Sequence, residues 1–240
     1  MDLKITDAGV AAFRDKDSKV RAYRRLYEEL PFIDAYAKHT DMRMAIDPKG
    51  AIGRADEWEG HGQLQLDFLR SQGMTPASRL LDIGCGPGRL ARRVCQYLDV
   101  GNYLGVDISD ACIKHAINLA LDEGWSSRAP LFVNGAEALA PIAGMVDFAW
   151  AHSVFTHLPP QEIDAWVRRL VKLLKPDGVF LFTYKQAVRP QRSGLKQFQY
   201  PVEFFDATAR QYGGRCEALP MVWPAHQLTA KISGLAYSKP

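Results

Sequence analysis

From about residue 78 onward, the chain repeats two patterns of apolar and polar positions. Short apolar runs, each typical of a buried strand, occur at 79–83, 103–108, 131–133, 145–150 and 179–184. Between these runs apolar residues recur every three or four positions, as on a half-buried helix, over 90–98, 111–121 and 160–174. Strands that alternate with helices predict an α/β fold with a parallel sheet covered on both faces.

The two ends of the chain differ from this central region. The C-terminal part predicts a helix over 202–212 and two further strands, at 216–219 and 228–232. The N-terminal part predicts a densely charged amphipathic helix, a long loop and a second helix, over 14–29, 41–61 and 63–72. We therefore predict a helical cap or lid over 1–75 in front of a ligand-binding α/β domain over 76–240.

Composition excludes several classes of protein. Of the 240 residues, 47% are hydrophobic and 24% are charged, which is ordinary for a globular protein, and no apolar run reaches the length of a membrane span. The net charge of +3 is too small to indicate nucleic-acid binding. The four cysteines form no C-x-x-C pair, and the first residues contain no apolar leader segment. We expect a cytoplasmic monomer or homodimer, with free thiols, no bound metal and no membrane partner.

A glycine-rich loop, Gly84-Cys85-Gly86-Pro87-Gly88, lies between the first predicted strand and its helix. Open parallel sheets bind ligands at this edge, where glycines let the backbone approach closely and the helix N-terminus attracts negative charge. Asp107 lies 19 residues beyond Gly88, at the end of the second strand, where a carboxylate can accept hydrogen bonds from both hydroxyls of a ribose. The pattern predicts a ligand with an adenosine-like ribose, either NAD or S-adenosylmethionine.

The spacing of the glycines favours the second ligand. A dinucleotide-binding loop has the pattern G-x-G-x-x-G, in which the third glycine allows close packing of the helix on the sheet. Here Arg89 occupies that third position, and Pro87 lies inside the loop. An NAD-dependent dehydrogenase is therefore the weaker alternative.

Five segments in this order resemble class I S-adenosylmethionine-dependent methyltransferases, over roughly residues 60–185. They are Leu81–Gly88, Gly105–Ser109, Val146–Trp150, Phe155–Leu158 and Leu174–Gly178. The chain looks closest to the broad bacterial group that methylates small molecules and natural products. The resemblance implies a Rossmann-like, mostly parallel sheet of seven strands, the last antiparallel, with helices on both faces. It also implies S-adenosylmethionine as cofactor and S-adenosylhomocysteine as product.

The resemblance also implies which residues bind the cofactor. The backbone of Gly84, Cys85 and Gly86 would hold its methionine part, and Asp82 would face its ammonium group. Asp107 would bind the ribose, and Ile108 would pack on the adenine. Relatives often have an acid after the third strand, where this chain has Gly135, so Asn134 or the backbone near Ala136 would contact the adenine instead. Ala151, His152 and Ser153 would line the cleft where the methyl group is transferred.

Transfer to a hydroxyl group benefits from a general base. His152 and His157 follow the fourth strand and are the catalytic candidates, although His157 could equally cap the next helix. The segment 185–196 carries four cations and no acid, so it favours a polar or anionic acceptor. The predicted acceptor-binding residues are Arg43, Trp58, His61, Tyr184 and Arg189.

We therefore predict a small-molecule methyltransferase that acts most readily on hydroxyl or carboxyl oxygen. An N-methyltransferase, a peptide-terminus methyltransferase and a non-catalytic binding protein of the same fold stay open as alternatives. The Asp/Asn-Pro-Pro-aromatic motif of amino-methylating nucleic-acid enzymes is absent, because residues 151–154 read Ala-His-Ser-Val.

Overall fold

Three helices precede the first strand of the structure, a computed structural model that describes residues 16–235. They are α1 (Lys16–Glu29), α2 (Phe32–Met44) and α3 (Trp58–Ser71). The first residues of the predicted cap, with the segment that we searched for a leader, lie outside the described residues. The division of the chain at residue 75 stays a prediction.

The strands and helices that follow alternate as the sequence predicts. The nine strands are β1 (Leu80–Ile83), β2 (Tyr103–Asp107), β3 (Leu131–Asn134), β4 (Val146–Ala151), β5 (Leu174–Tyr184), β6 (Gln191–Ser193), β7 (Gln197–Gln199), β8 (Arg215–Trp223) and β9 (Gln227–Ser233). The four helices among them are α4 (Ala91–Tyr97), α5 (Asp110–Asp122), α6 (Pro160–Leu173) and α7 (Val202–Arg210).

Seven of these strands form one sheet in the order β3-β2-β1-β4-β5-β9-β8. Strands β1 to β5 are parallel to one another, and β9 is antiparallel to both β5 and β8. The predicted mostly parallel sheet of seven strands is confirmed. Strand β1 lies between β2 and β4, so the carboxyl ends of these three strands are side by side. Sheets of this kind bind ligands at this edge.

Each face of the sheet packs against its own layer of helices. Adjacent residues of β1 point to opposite faces, so Leu80 packs with Leu69 of α3 and Val94 of α4, whereas Leu81 packs with Ile163 and Val167 of α6. All five side chains are buried. The two layers hold the carboxyl edge of the sheet rigidly.

The region predicted as a loop over 41–61 is more helical than expected. Helix α2 continues to Met44, α3 begins at Trp58, and two short 3₁₀ turns lie between them. No single apolar stripe marks α2 because it is packed on several sides. His39 stacks on Tyr23 of α1, while Tyr36 faces His157 across the cleft.

The cationic segment after β5 forms a small antiparallel hairpin, β6–β7, which the sequence did not predict. Phe198 of this hairpin lies edge-on to Phe32 of α2, with ring centroids 5.4 Å apart. The Arg192 guanidinium lies over both rings. Helix α2 and the hairpin therefore form a joint roof over the carboxyl edge of the sheet. Within residues 16–235, no helix is long and apolar enough to cross a membrane.

Candidate active site

A cleft of about 560 Å³ lies at the carboxyl ends of the central strands. Its volume is in the range of small-ligand sites. One half is lined by the glycine loop and the ends of β1 and β2, and we call it the cofactor half. The other half lies below α2 and the β6–β7 hairpin, and we call it the acceptor half.

The glycine loop keeps the backbone at the floor of the cofactor half. Gly84 and Gly86 adopt φ values of 67° and 57°, a region that other residues rarely enter. A Cβ atom on Gly84 would lie 2.5 Å from Cγ2 of Val154. The amide groups of Gly84 and Cys85 both donate to the carbonyl of Val106, at 2.8 and 3.1 Å. The loop is thus fixed close to the end of β4.

Asp107 joins the glycine loop to the start of α5. Its carboxylate accepts hydrogen bonds from the amides of Gly86 and Ser109, both at 2.9 Å. Burial raises the pKa of Asp107, and these two donors oppose that rise. The Ser109 hydroxyl caps α5 by accepting from the Cys112 amide and donates to Asp41 of α2 at 2.5 Å. The predicted ribose site is therefore tied directly to the cap.

Two opposite charges face the other end of the cofactor half. Asp82 is 3% exposed, accepts a hydrogen bond from the Tyr103 hydroxyl at 2.8 Å, and has a pKa raised to about 7 by burial. Burial lowers the pKa of the half-buried Arg89 to about 10, and Asp82 opposes that change. Among the described residues, the buried Nε atom of Arg89 has no hydrogen-bond partner. An ammonium group near Asp82 and a carboxylate near Arg89 would complement these charges, as the methionine end of S-adenosylmethionine requires.

His61 and His152 form a pair between α3 and the end of β4. Their Nε2 atoms are 2.8 Å apart, and both rings lie against the indole of Trp223. Burial, with Arg89 nearby, lowers the pKa of His61 to about 4 and that of His152 further. Both rings are therefore neutral at pH 7, one donating to the other. His152 Nδ1 is buried without a partner among residues 16–235.

A closed ring of hydrogen bonds fixes the residue after His152. Ser153 has φ 63°, which is unusual for a residue with a side chain. Its amide donates to the Thr183 hydroxyl at 2.7 Å, that hydroxyl donates to Gln227 Oε1 at 2.7 Å, and Gln227 Nε2 donates to the Ser153 hydroxyl at 2.8 Å. Thr183 and Gln227 are both buried. Strands β5 and β9 thus hold Ser153 in its strained conformation at the cleft wall.

His157 lies in the acceptor half, beneath Tyr36, with ring centroids 5.4 Å apart. Its Nδ1 atom is 2.8 Å from the Lys196 carbonyl oxygen. Burial, together with the charges of Lys196, Lys185 and Arg43, lowers the pKa of His157 to about 4, and the hydrogen bond to the Lys196 backbone opposes this change. Because a carbonyl only accepts, the neutral ring donates through Nδ1 and carries its lone pair on Nε2.

Most of the residues predicted for the cofactor line the cleft, as do three of those predicted for the acceptor or the chemistry. The lining includes Asp82, Gly84, Cys85, Gly86, Asp107, Ile108, Gly135, Ala136, Arg43, His152 and His157. His61 reaches the site through its hydrogen bond to His152. The structure therefore gathers residues from α2, α3, the glycine loop, β2 and β4 at one place.

Besides His61, five predicted site residues do not line the cleft. Tyr184 is buried in the core against Phe205, and Trp58 is buried at the start of α3. Arg189 is exposed on the loop between β5 and β6, and Asn134 is exposed at the end of β3. Ala151 is fully buried inside β4. Three of these five side chains are therefore covered by other residues, and the other two are exposed outside the cleft lining.

Several cleft residues were missed by sequence reasoning. Tyr36 and Thr40 lie on the unpredicted part of α2, while Gln227 arrives from the last strand. The sequence pattern identifies Arg89 only as a departure from the third glycine. Its position directly after the glycine loop could have indicated a site residue, because the side chain of that residue lies at the ligand-binding edge of the sheet. Within residues 16–235, no three His, Cys, Asp or Glu side chains are grouped as metal ligands.

Comparison with known proteins agrees with this geometry. Residues 81–180 match a family model described as a methyltransferase domain. Cyclopropane mycolic acid synthase 1 of Mycobacterium tuberculosis is 27% identical over 162 residues, which cover 64% of this chain and 54% of that protein. The chain thus spans about half the length of this curated relative.

Two solved structures share the fold at low sequence identity. Magnesium protoporphyrin IX methyltransferase from Synechocystis PCC 6803, with bound S-adenosylmethionine, matches 97% of this chain and 99% of its own, with a TM-score of 0.53 and 17% identity. The second structure is phosphoethanolamine N-methyltransferase 2 of Haemonchus contortus in complex with phosphomonomethylethanolamine and S-adenosylhomocysteine. The match covers 87% of this chain and 61% of that one, with a TM-score of 0.61 and 16% identity. The names of these two proteins indicate different methyl acceptors. Residues 81–180 thus match a methyltransferase domain, and the order of the sheet and the glycine loop with Asp107 have the class I S-adenosylmethionine-dependent methyltransferase fold that the sequence predicts.

Proposed function

We propose that this protein transfers the methyl group of S-adenosylmethionine to an oxygen atom of a small polar or anionic acceptor. The observation that carries this proposal is the continuity of the cleft. It runs from Asp107 and the glycine loop to His157 and the cations of the acceptor half without a break between them. When bound, S-adenosylmethionine supplies a methyl group that is already electrophilic.

The chain's own residues would mainly position the two reactants. The glycine loop, Asp107 and the Asp82–Arg89 pair hold one reactant, while α2 and the hairpin cover the other. Holding two reactants in line contributes about 7–11 kcal/mol to lowering a barrier.

His157 is the residue that we assign as general base. Its Nδ1 atom is held by the Lys196 carbonyl, so Nε2 is free to accept the proton of an acceptor hydroxyl. A positioned base contributes about 10²–10⁴-fold to the rate. His152 has a different role, because its Nε2 atom is already engaged by His61. We assign His152 to positioning at the point where the two halves of the cleft meet.

The charge of the acceptor half favours oxygen over an amine. Arg43, Lys185 and Lys196 line this half, and a protonated amine would be repelled by all three. A hydroxyl group or a carboxylate suffers no such repulsion. We also propose a cytoplasmic location, which the free cysteines favour, and a monomer or homodimer.

The test is methyl transfer from S-adenosylmethionine labelled with ¹³C in the methyl group. Pools of hydroxy acids, sugar phosphates and phenols are offered, and mass spectrometry follows S-adenosylhomocysteine and labelled product. We expect an O-methylated product, with turnover lowered about 100-fold in His157→Gln and S-adenosylhomocysteine affinity unchanged. Methyl groups found only on nitrogen would contradict the proposal.

A further inference from the structure

Three cations surround His157 and come from three separate segments of the chain. Arg43 lies on α2, Lys185 follows β5, and Lys196 precedes β7. All three line the same cleft as His157, and their positive charges help to lower the pKa of that histidine. Sequence-distant cations brought together in this way need a reason, because like charges repel.

No carboxylate neutralises these cations in the described part of the chain. The Arg43 guanidinium donates to the carbonyl of Gly50 at 2.8 Å, which is an uncharged partner. Burial and the neighbouring Arg43 lower the pKa of Lys196 to about 8, and no acid opposes them. The Lys196 ammonium lies over the ring of Tyr36, 5.1 Å from its centroid. The acids that line the cleft are either part of the cofactor half or lie near α6, as Glu137 and Glu162 do.

Leaving three half-buried cations unpaired beside a neutral histidine costs free energy, and a bound anion would recover it. The cofactor's carboxylate is already complemented by Arg89, so the anion that these three cations require is a different one. Arginine and lysine together suit phosphate, since arginine offers a planar fork and lysine a compact charge. A phosphate monoester carries a charge of about −1.5 to −2 at pH 7, which matches three cations better than one carboxylate does.

We propose that Arg43, Lys185 and Lys196 form an oxyanion site that binds a phosphate monoester group of the acceptor. The inference rests on the proposed function, because it places the acceptor in the half of the cleft opposite the cofactor. The rest of the acceptor would then lie between this site and the cofactor half, with its hydroxyl group near His157. A bound phosphate would also offset the three positive charges and make His157 a stronger base. The base would therefore reach its working strength only when the correct acceptor is present.

Calorimetric titration tests the site without knowledge of the whole acceptor. Inorganic phosphate, methyl phosphate and acetate are titrated at constant ionic strength, with and without saturating S-adenosylhomocysteine. We expect both phosphates to bind and acetate to bind at least tenfold more weakly. Equal binding of acetate would overturn the assignment to phosphate. Binding of inorganic phosphate without methyl phosphate would overturn the assignment to an ester group.

Two variants locate the site. Lys196→Gln is expected to weaken methyl phosphate binding at least tenfold. Arg189→Gln removes the same charge from the same segment outside the cleft, and it should change binding less than twofold. Equal loss in both variants would overturn the proposal. S-adenosylhomocysteine affinity, measured first for each protein, shows that the fold is intact.

The same titrations separate this proposal from the proposed function. A protein that binds S-adenosylhomocysteine but no phosphate would overturn the oxyanion site and leave methyl transfer standing. Phosphate binding that depends on Lys196, without any S-adenosylhomocysteine binding, would support the site and contradict methyl transfer. NMR titration of His157 adds a second readout, using sulfate because its charge stays constant with pH. With Arg43, Lys185, Lys196, Tyr36 and His39 as its charged or titratable neighbours, the pKa of His157 should rise in sulfate, and an unchanged pKa would overturn the proposal.

Discussion

Replacing Asp107 with alanine is the sharpest test of the cofactor half. The carboxylate lies at the end of β2 and accepts hydrogen bonds from the amides of Gly86 and Ser109. Each carboxylate oxygen has further lone pairs, which the two hydroxyls of a ribose would use. Asp107→Ala removes both sets of interactions, so it should affect cofactor affinity and stability together.

The two effects can be given magnitudes. A hydrogen bond to a charged group contributes about 1.5–3 kcal/mol. If the pair of ribose hydrogen bonds contributes about 3 kcal/mol in total, its loss weakens binding roughly 100-fold. The amides of Gly86 and Ser109 also lose their acceptor, which costs about 1–3 kcal/mol of stability. The domain should remain folded, because the rest of β2 stays buried between its neighbours.

Calorimetric titration with S-adenosylhomocysteine measures the affinity, and urea unfolding measures the stability. Asp147→Ala is the matched control, since Asp147 also accepts from a backbone amide, that of Arg79 at 2.8 Å, and lies at the opposite end of the sheet. It should lose stability but keep its affinity. A folded Asp107→Ala variant that binds S-adenosylhomocysteine within threefold of the wild type would refute the ribose assignment.

Three more predictions follow from single contacts. Arg89→Gln should weaken S-adenosylhomocysteine binding at least tenfold in calorimetry, because it removes the charge facing the cofactor's carboxylate; unchanged affinity would contradict this. Thr183→Val should lower the free energy of unfolding by about 1–3 kcal/mol, because the Ser153 amide loses its acceptor. The control Thr208→Val loses only a hydrogen bond within its own helix and should lower it less. Equal losses of the two variants in urea unfolding would contradict this prediction. Burial lowers the pKa of His39 to about 3, so its contribution to stability falls as pH drops below its unfolded value of about 6.5. Between pH 7.5 and 5 the wild type should therefore lose about 2 kcal/mol relative to His39→Gln, and parallel pH profiles would exclude this.

The central sheet could be predicted from the sequence because its strands are buried on both faces. Runs such as Leu80-Leu81 and Phe180-Leu181-Phe182 are continuously apolar and end at glycines or polar residues. The sequence therefore predicts both that these segments are strands and the order in which strands and helices follow one another. The glycine loop and Asp107 were predictable for a related reason. Their roles depend on the spacing of the glycines and on their position at the ends of parallel strands, and both can be read from a short stretch of sequence.

Helix α2 could not be predicted with the same certainty. It contacts α1, the hairpin and α5 at once, so its apolar and polar residues show no single periodic stripe. Pro31 before it and the short 3₁₀ turns after it also resemble loop sequence. The cleft residues Tyr36 and Thr40 were missed as a consequence.

Pairings across long sequence distances were also outside the reach of pattern analysis. His61 and His152 are 91 residues apart and meet only because α3 packs beside the end of β4. The cluster of Arg43, Lys185 and Lys196 is likewise a product of tertiary packing. Sequence reasoning placed a cationic segment at 185–196, but it did not distinguish Lys196, which lines the cleft, from Arg189, which does not.

The most direct test of the central claim is a parallel calorimetric titration of the purified protein with S-adenosylhomocysteine and NAD. The cleft, with Arg89 in place of the third glycine and Asp82 beside it, predicts micromolar binding of S-adenosylhomocysteine and no binding of NAD. Binding of NAD without S-adenosylhomocysteine would contradict the assignment of this site to S-adenosylmethionine.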